Sequence, residues 1–236
     1  MKGWRFWLLT LAAVVGVAAT VALGWWQLGR GQQREAMQQA IDSRRSQPPL
    51  AQSALLAGGP LASLHHRPVR LRGQWVERHT VYLDNRQMRG KPGFYVVTPL
   101  QLAGSDTAVL VQRGWIQRDF LQRDRLPRVV TPPGDVELVG RIAPPPAKLY
   151  EMGPAEAGPI RQNLDLVAFA AETGLKLVDA SVLETSPASQ ELLRDWPEVG
   201  SAAAKNYGYA AQWWALAALI VILYVWFQFI APRRVR

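Results

Sequence analysis

The 236-residue sequence contains no cysteine. That single absence removes disulfides, zinc–thiolate sites, iron–sulfur clusters and thiol nucleophiles together. Histidine is scarce as well, limited to His65, His66 and His79. No Gly-x-Ser-x-Gly elbow, phosphate-cradling glycine loop or helical metal-ligand spacing accompanies them. An extended backbone at 65–66 would point the two adjacent rings to opposite sides. Carboxylates such as Asp84 and Asp119 stand beside arginines and read most simply as ion-paired surface. Nothing in this inventory argues for an enzyme. Charge is also missing from two long stretches: Phe6 to Trp26 and Tyr209 to Ala231 hold no Asp, Glu, Lys, Arg or His.

As helices, these stretches would extend roughly 31 and 34 Å at about 1.5 Å per residue. Each matches the roughly 30 Å hydrocarbon layer of a bilayer. The first could instead be a cleaved signal peptide, with a basic start at Lys2 and Arg5. Its length, and its ending in Trp25-Trp26 at headgroup depth, favour a retained anchor. Basic residues fix the orientation. Arg233, Arg234 and Arg236 follow the second stretch, which places the C-terminus in the cytoplasm and exports residues 27–208. The expected order is a cytoplasmic N-terminus (1–5), a span (6–26) and a polar helix and linker (27–64). A β domain (65–200), a linker (201–208), a second span (209–231) and a basic tail (232–236) follow.

The net charge of +9 comes from 27 Lys and Arg against 18 Asp and Glu. Residues 67–128 carry 12 basic and 5 acidic side chains, and residues 129–208 carry 6 and 11. An exported segment is on the wrong side for nucleic acid. The two halves either attract each other within the fold or face a partner or lipid headgroups. Alternation of apolar and polar residues predicts strands at 69–75 and 80–84. Val-, Tyr- and Trp-rich strands follow at 94–100 and 108–115, then at 136–142 and 175–183. Residues 85–93 read as a turn dense in Asn, Gly and Pro. Asp165 is placed to cap a short helix that ends at Gly174. The fold class is thus two transmembrane helices flanking a mostly antiparallel β domain, sandwich or open barrel, with one short helix.

Ala12, Gly16, Thr20 and Gly24 form a strip of small residues that lets another helix approach, with Ala211 and Ala215 as a counterpart on the second span. Small residues are also simply common in membrane helices. Seven of the ten Trp lie in or beside the spans. They read as interfacial belts, or, for Trp25, Trp26, Trp213 and Trp214, as a flat aromatic site beside Gln27, Arg30 and Asn206. Arg86 and Arg113, at a turn and a strand end, suit carboxylate recognition or a structural bond to Asp84 or a backbone carbonyl.

Four motifs in order carry a family resemblance. Leu23-Gly24-Trp25-Trp26-Gln27-Leu28-Gly29-Arg30, Leu83-Asp84-Asn85-Arg86 with Gly90 and Pro92-Gly93, Leu110-Val111-Gln112-Arg113-Gly114-Trp115 and Tyr209-Ala210-Ala211-Gln212-Trp213 resemble those of the surfeit-locus family of cytochrome c oxidase assembly factors. The resemblance implies a non-enzymatic biogenesis factor in the bacterial inner membrane, with its middle domain in the periplasm. Its partners would be the catalytic oxidase subunit or the haem-supplying machinery. It also implies transient binding of haem a, facing a cluster of Trp25, Trp26, Gln27, Arg30, Asn206, Tyr209 and Trp213. Arg86, Arg113, Trp115 and Gly16 would contact partners. The family's His three positions before the Tyr of the last motif is Asn206 here, and an amide is a poor iron ligand beside imidazole.

A reporter active only outside the cytosol, fused at residue 130, is expected to be active, and a cytosol-dependent reporter at the same site silent.

Overall fold

A computed structural model describes residues 3–119, 126–127, 129–150, 158–187, 192–196 and 203–231. Lys2 and the basic tail at 232–236, which set the expected orientation, lie outside these residues. The chain divides into two compact units. One joins Met1–Ala40 to Glu198–Arg236, and the other is Ile41–Pro197.

The first unit pairs two helices long and apolar enough to cross a membrane. Helix α1 runs Trp4–Arg45 without interruption, so the polar stretch after Trp26 continues the apolar helix as its helix-forming residues predict. The last helix, α4 below, spans Ala203–Val225 and continues as a π-helical turn, Trp226–Ile230. Residues 203–208, expected as linker, belong to it.

In the second unit the strands are β1 (Leu50–Ala51), β2 (Pro68–Trp75), β3 (Val81–Met88) and β4 (Lys91–Leu102). They are followed by β5 (Thr107–Gln117), β6 (Asp135–Ala143), β7 (Ile160–Arg161) and β8 (Lys176–Glu184). Short helices are α2 (Ser53–Leu56) and α3 (Leu166–Thr173). The sheet order is β1-β2-β6-β8-β5-β4-β3-β7, and β2 pairs again with β4. That second pairing closes β2, β6, β8, β5 and β4 into a ring, so the barrel is shut. Antiparallel pairs dominate, with β5–β8 parallel along with the two-residue strands β1 and β7.

Closure needs β2 to serve two neighbours at once. Gly73 is opposite Val136 of β6 and also opposite Leu102 of β4. A Cβ there would strike the Gln101 carbonyl, the close backbone approach that glycine permits at a barrel corner. Inside the ring pack Val69, Leu71, Leu100, Leu102, Val109, Val111, Ile142 and Val182, all at most 1% exposed. Their even spacing along each strand is the alternation visible in the sequence. Strand β5 is buried on both faces. Val109 and Val111 point into the ring, while Leu110 faces an outer cluster with Val97, Leu83 and Phe169 of α3. Hence β5 reads as a continuous apolar run.

Helix α3 matches its sequence signals. Asp165 accepts from the backbone N–H of Val167 and Ala168, and Gly174 takes φ 69° at the C-cap. Three local readings change. The turn expected over 85–93 is only Arg89-Gly90, both at positive φ, a two-residue hairpin that lets β3 and β4 continue through Met88 and Lys91. The segment before residue 65, expected as linker, joins the fold: Leu50 and Ala51 pair with β2 and Leu55 is buried in the core. At His66 the backbone turns to φ 72°, which brings the two rings edge to face, 6.4 Å apart, rather than apart. No group of three or more metal-ligating side chains occurs among the described residues.

Gly73→Ala is expected to destabilise the second unit by about 1–3 kcal/mol through forced separation of β2 from β4. Thermal unfolding of the full chain followed by near-UV circular dichroism reads it.

Candidate functional site

The four motifs fall at two places, one in each unit. In the first unit α4 (Ala203–Val225) runs antiparallel to α1. Thr10 shares a hydrogen bond with the Tyr224 hydroxyl at 2.7 Å, Gly16 lies under Ile220, Gly24 under Trp214, and Gly31 under Tyr207. A Cβ at Gly24 or Gly31 would overlap those rings. Between residues 6 and 31 the covered positions on α1 are 6, 10, 13, 16, 17, 20, 21, 24, 27, 28, 29 and 31; a stripe at 6, 10, 13, 17, 20, 24, 27 and 31 runs through them. Its positions alternate steps of four and three, a 3.5-residue period that keeps a seam facing a partner helix. The strip at 12, 16, 20 and 24 advances about 400° per step on a helix of 3.6 residues per turn. Gly16, Thr20 and Gly24 of the strip are covered, Gly16 by Ile220 and Gly24 by Trp214, while Ala12 at its end is exposed. Ala211 and Ala215 are exposed too. Their expected place is taken by Ala210 and Ala217, both buried. Gly16 contributes to contact between the two spans of this chain.

At the other end of this seam the predicted cluster is partly assembled. Trp25 meets Trp214 edge to face at 5.5 Å, and Arg30 sits over the Trp26 ring at 5.9 Å. The Asn206 amide NH2 donates to Gln27 Oε1, while its Oδ1 accepts from Arg34, each at 2.7 Å. One position on, the Tyr207 hydroxyl donates to Glu35 at 2.6 Å. Tyr209 is exposed and Trp213 half-buried. Arg34, Glu35 and Tyr207 were not singled out from the sequence. Extending the 3.5-residue count past Gly24 to Gln27 and Gly31 is the signal that leads to them.

In the second unit the turn motif and the strand motif lock together. Trp115 Nε1 donates to the Arg86 carbonyl at 2.8 Å. Gly93, opposite Arg86 in β4, leaves the space that the Trp115 ring occupies. Both arginines stand at β-bulges. The β3–β4 register shifts between Leu83 and Arg86, where Asn85 takes φ 58°, and the β4–β5 register skips Arg113 between Gln112 and Gly114. A bulge re-aims the side chain beside it.

Arg86, 6% exposed, stacks over Tyr95 and donates to the Gln162 carbonyl at 3.0 Å. Arg113, 4% exposed, lies 4.8 Å from the Trp75 ring centre and donates to Thr131 Oγ1 and the Val130 carbonyl. Burial lowers both guanidinium pKa values from their ordinary value, opposed at Arg86 by Tyr95 and at Arg113 chiefly by Glu184. Of the two readings open for these arginines, the geometry supports the backbone-carbonyl bond for Arg86. Asp84 pairs with Arg118 instead. Trp115 is likewise buried, its backbone bonded both ways to Leu193. Arg86, Arg113 and Trp115 are therefore buried and bonded within the domain.

The charge asymmetry is met partly within the fold. Arg72–Asp135 and Arg89–Asp195 join the basic and acidic halves. The buried Arg194–Glu184 pair at 2.8 Å lies within the acidic half, and Arg194 also donates to the Arg113 carbonyl.

Two apolar, membrane-length helices bracketing a closed β barrel define a two-span membrane protein with a single extramembrane domain. The SURF1 family model matches residues 14–218, and the chain belongs to that family. A SURF1-like protein of Rickettsia bellii is 26% identical over 227 residues, 91% of this chain and 88% of the relative. One from Drosophila melanogaster is 28% identical over 173 residues, 66% of this chain but 56% of that longer protein. One from Dictyostelium discoideum is 31% identical over 115 residues, covering 46% and 42%. The match thus spans about half the length of these two eukaryotic relatives.

Trp115→Phe keeps the ring but removes the indole donor. It is expected to cost about 1–3 kcal/mol, because the Arg86 carbonyl stays buried without its partner. The shift in unfolding midpoint of the full chain measures it.

Proposed function

We propose that this protein is an assembly factor for cytochrome c oxidase, a haem–copper terminal oxidase, acting from a bacterial inner membrane with its barrel domain on the periplasmic side. Family membership over residues 14–218 carries the reading. The two-helix frame supports it, since a factor for a membrane-embedded oxidase subunit must reside in the same bilayer. Its partners are the catalytic subunit or the machinery that supplies its haem. It works by binding and release, without catalytic turnover.

The resemblance also implies haem a, and the residues at the Asn206 end were the candidates to hold it. They do not fit an iron ligated there. The Asn206 amide is bonded on both sides, and the Tyr207 hydroxyl is committed to Glu35. This observation favours the second reading, a docking scaffold for oxidase subunits that carries no cofactor.

Deletion of the gene is expected to lower the oxidase haem signal in reduced-minus-oxidised membrane spectra, with recovery on complementation by the intact chain. An unchanged signal would remove the assembly role. Purification in the presence of available haem a separates the two readings, since a Soret band that accompanies the protein supports haem handling and a colourless protein supports the scaffold.

A further inference from the structure

The polar residues at the Asn206 end of the helix pair bond to one another across the interface. We propose that Gln27, Asn206 and Arg34, with Glu35 and Tyr207 beside them, are a hydrogen-bonded clamp that sets the register of α1 against α4, and that this chain ligates no haem iron at position 206. The inference goes beyond the assembly role and does not depend on it.

Three observations carry it. First, Asn206 uses both ends of its amide across the helix interface. Its NH2 goes to Gln27 and its oxygen takes the Arg34 proton, both at 2.7 Å. An amide coordinates metal through its oxygen, and here that oxygen already accepts from a cation. Second, the Glu35–Tyr207 bond at 2.6 Å repeats the cross-helix connection at the next position of each helix. Four side chains of α1 and α4 thereby close two bridges, with Gln27 completing a third. Third, the seam leading to the clamp seats large side chains of α4 over glycines of α1. Its contacts run Gly16 on Ile220, Gly24 on Trp214 and Gly31 on Tyr207. Glycines let helices approach closely, and hydrogen bonds across helices add direction to that contact. The Thr10–Tyr224 bond fixes the far end of the pair. Polar bonds therefore bracket a small-residue interface at both ends.

The absence of cysteine makes the test direct. Gly16→Cys with Ile220→Cys places two thiols at a contact remote from the clamp, and the rate of oxidative cross-linking in the full-length detergent-solubilised chain reports helix register. Asn206→Ala in that background is expected to slow cross-linking about threefold or more for each bond lost. Gln27→Ala removes one bond only and is expected to have a smaller effect. If Asn206→Ala fails to insert, Gln27→Ala and Arg34→Ala, separately and together, still measure the coupling. Cross-linking unchanged by all of these variants would overturn the clamp.

The second arm titrates ferric haem into the full chain. Wild type and Asn206→Ala are expected to give the same absorption spectrum, because nothing at residue 206 ligates the iron. Asn206→His is expected to introduce a low-spin, axially ligated signature. A wild-type haem spectrum that Asn206→Ala alters would show that the amide releases its partners to bind iron, and would sink the second half of the proposal. Neither arm reads oxidase levels, so failure here leaves the assembly role standing and failure of that role leaves the clamp standing.

Discussion

The bond from the Trp115 indole to the Arg86 carbonyl is the point on which the β domain's organisation turns. It joins β5 to β3 across β4, strands that are not hydrogen-bonded neighbours in the sheet. It is possible only because Gly93 of the intervening strand has no side chain where the indole lies. The same ring's backbone holds Leu193, and through the stretch 192–196 it brings Arg194 to Glu184 and Trp196 against Tyr95. Tyr95 in turn carries the Arg86 guanidinium. One aromatic side chain thereby ties a hairpin, a bulged strand and the end of the domain into one packed region.

Arg86 and Arg113, two of the three arginines buried among the described residues, invite a functional interpretation, but their surroundings give a structural one. Each lies over an aromatic face and donates to a carbonyl, which satisfies part of the guanidinium without a full carboxylate pair. Replacing such a residue by lysine would lose the planar fork that meets both partners. The strong sequence signal of these motifs therefore reflects a constrained backbone as much as any chemistry toward a ligand. The bulges at Arg86 and Arg113 are part of that constraint, since they turn each side chain away from the plain in–out alternation of its strand.

In the helix pair the governing constraint is different. Lipid offers no hydrophobic drive between two apolar helices, so packing and polar contacts must hold them. The chain meets this with glycines under Trp214 and Tyr207 and with hydrogen bonds near each end. A cleaved signal segment has no reason to keep a 3.5-residue seam complementary to a helix some 180 residues later, so the packing accords with a retained first span. What such a frame offers an assembly function is a rigid pair of helices rather than an open ligand pocket at Asn206.

The sequence by itself determined the parts whose cause is local. Two stretches without charge become membrane-length helices because composition alone sets their partition into lipid. Alternation placed two strands and Val-, Tyr- and Trp-rich composition four more, and Asp165 and Gly174 bounded α3, because side-chain period, strand propensity and capping act within a few residues. The four motifs identified the family for the same reason, as order along the chain is enough. Tertiary structure alone decided what depends on partners far away in the chain. The two bonds of Asn206 reach back 172 and 179 residues, and no local pattern tells whether such an amide is free or committed. The closing pair of β2 with β4 gave Gly73 its meaning, and the fold buried Arg86 and Arg113 that read from sequence as presentable charges. Which face of a helix or strand turns inward is settled by the surface it must match, and that surface exists only once the chain has folded.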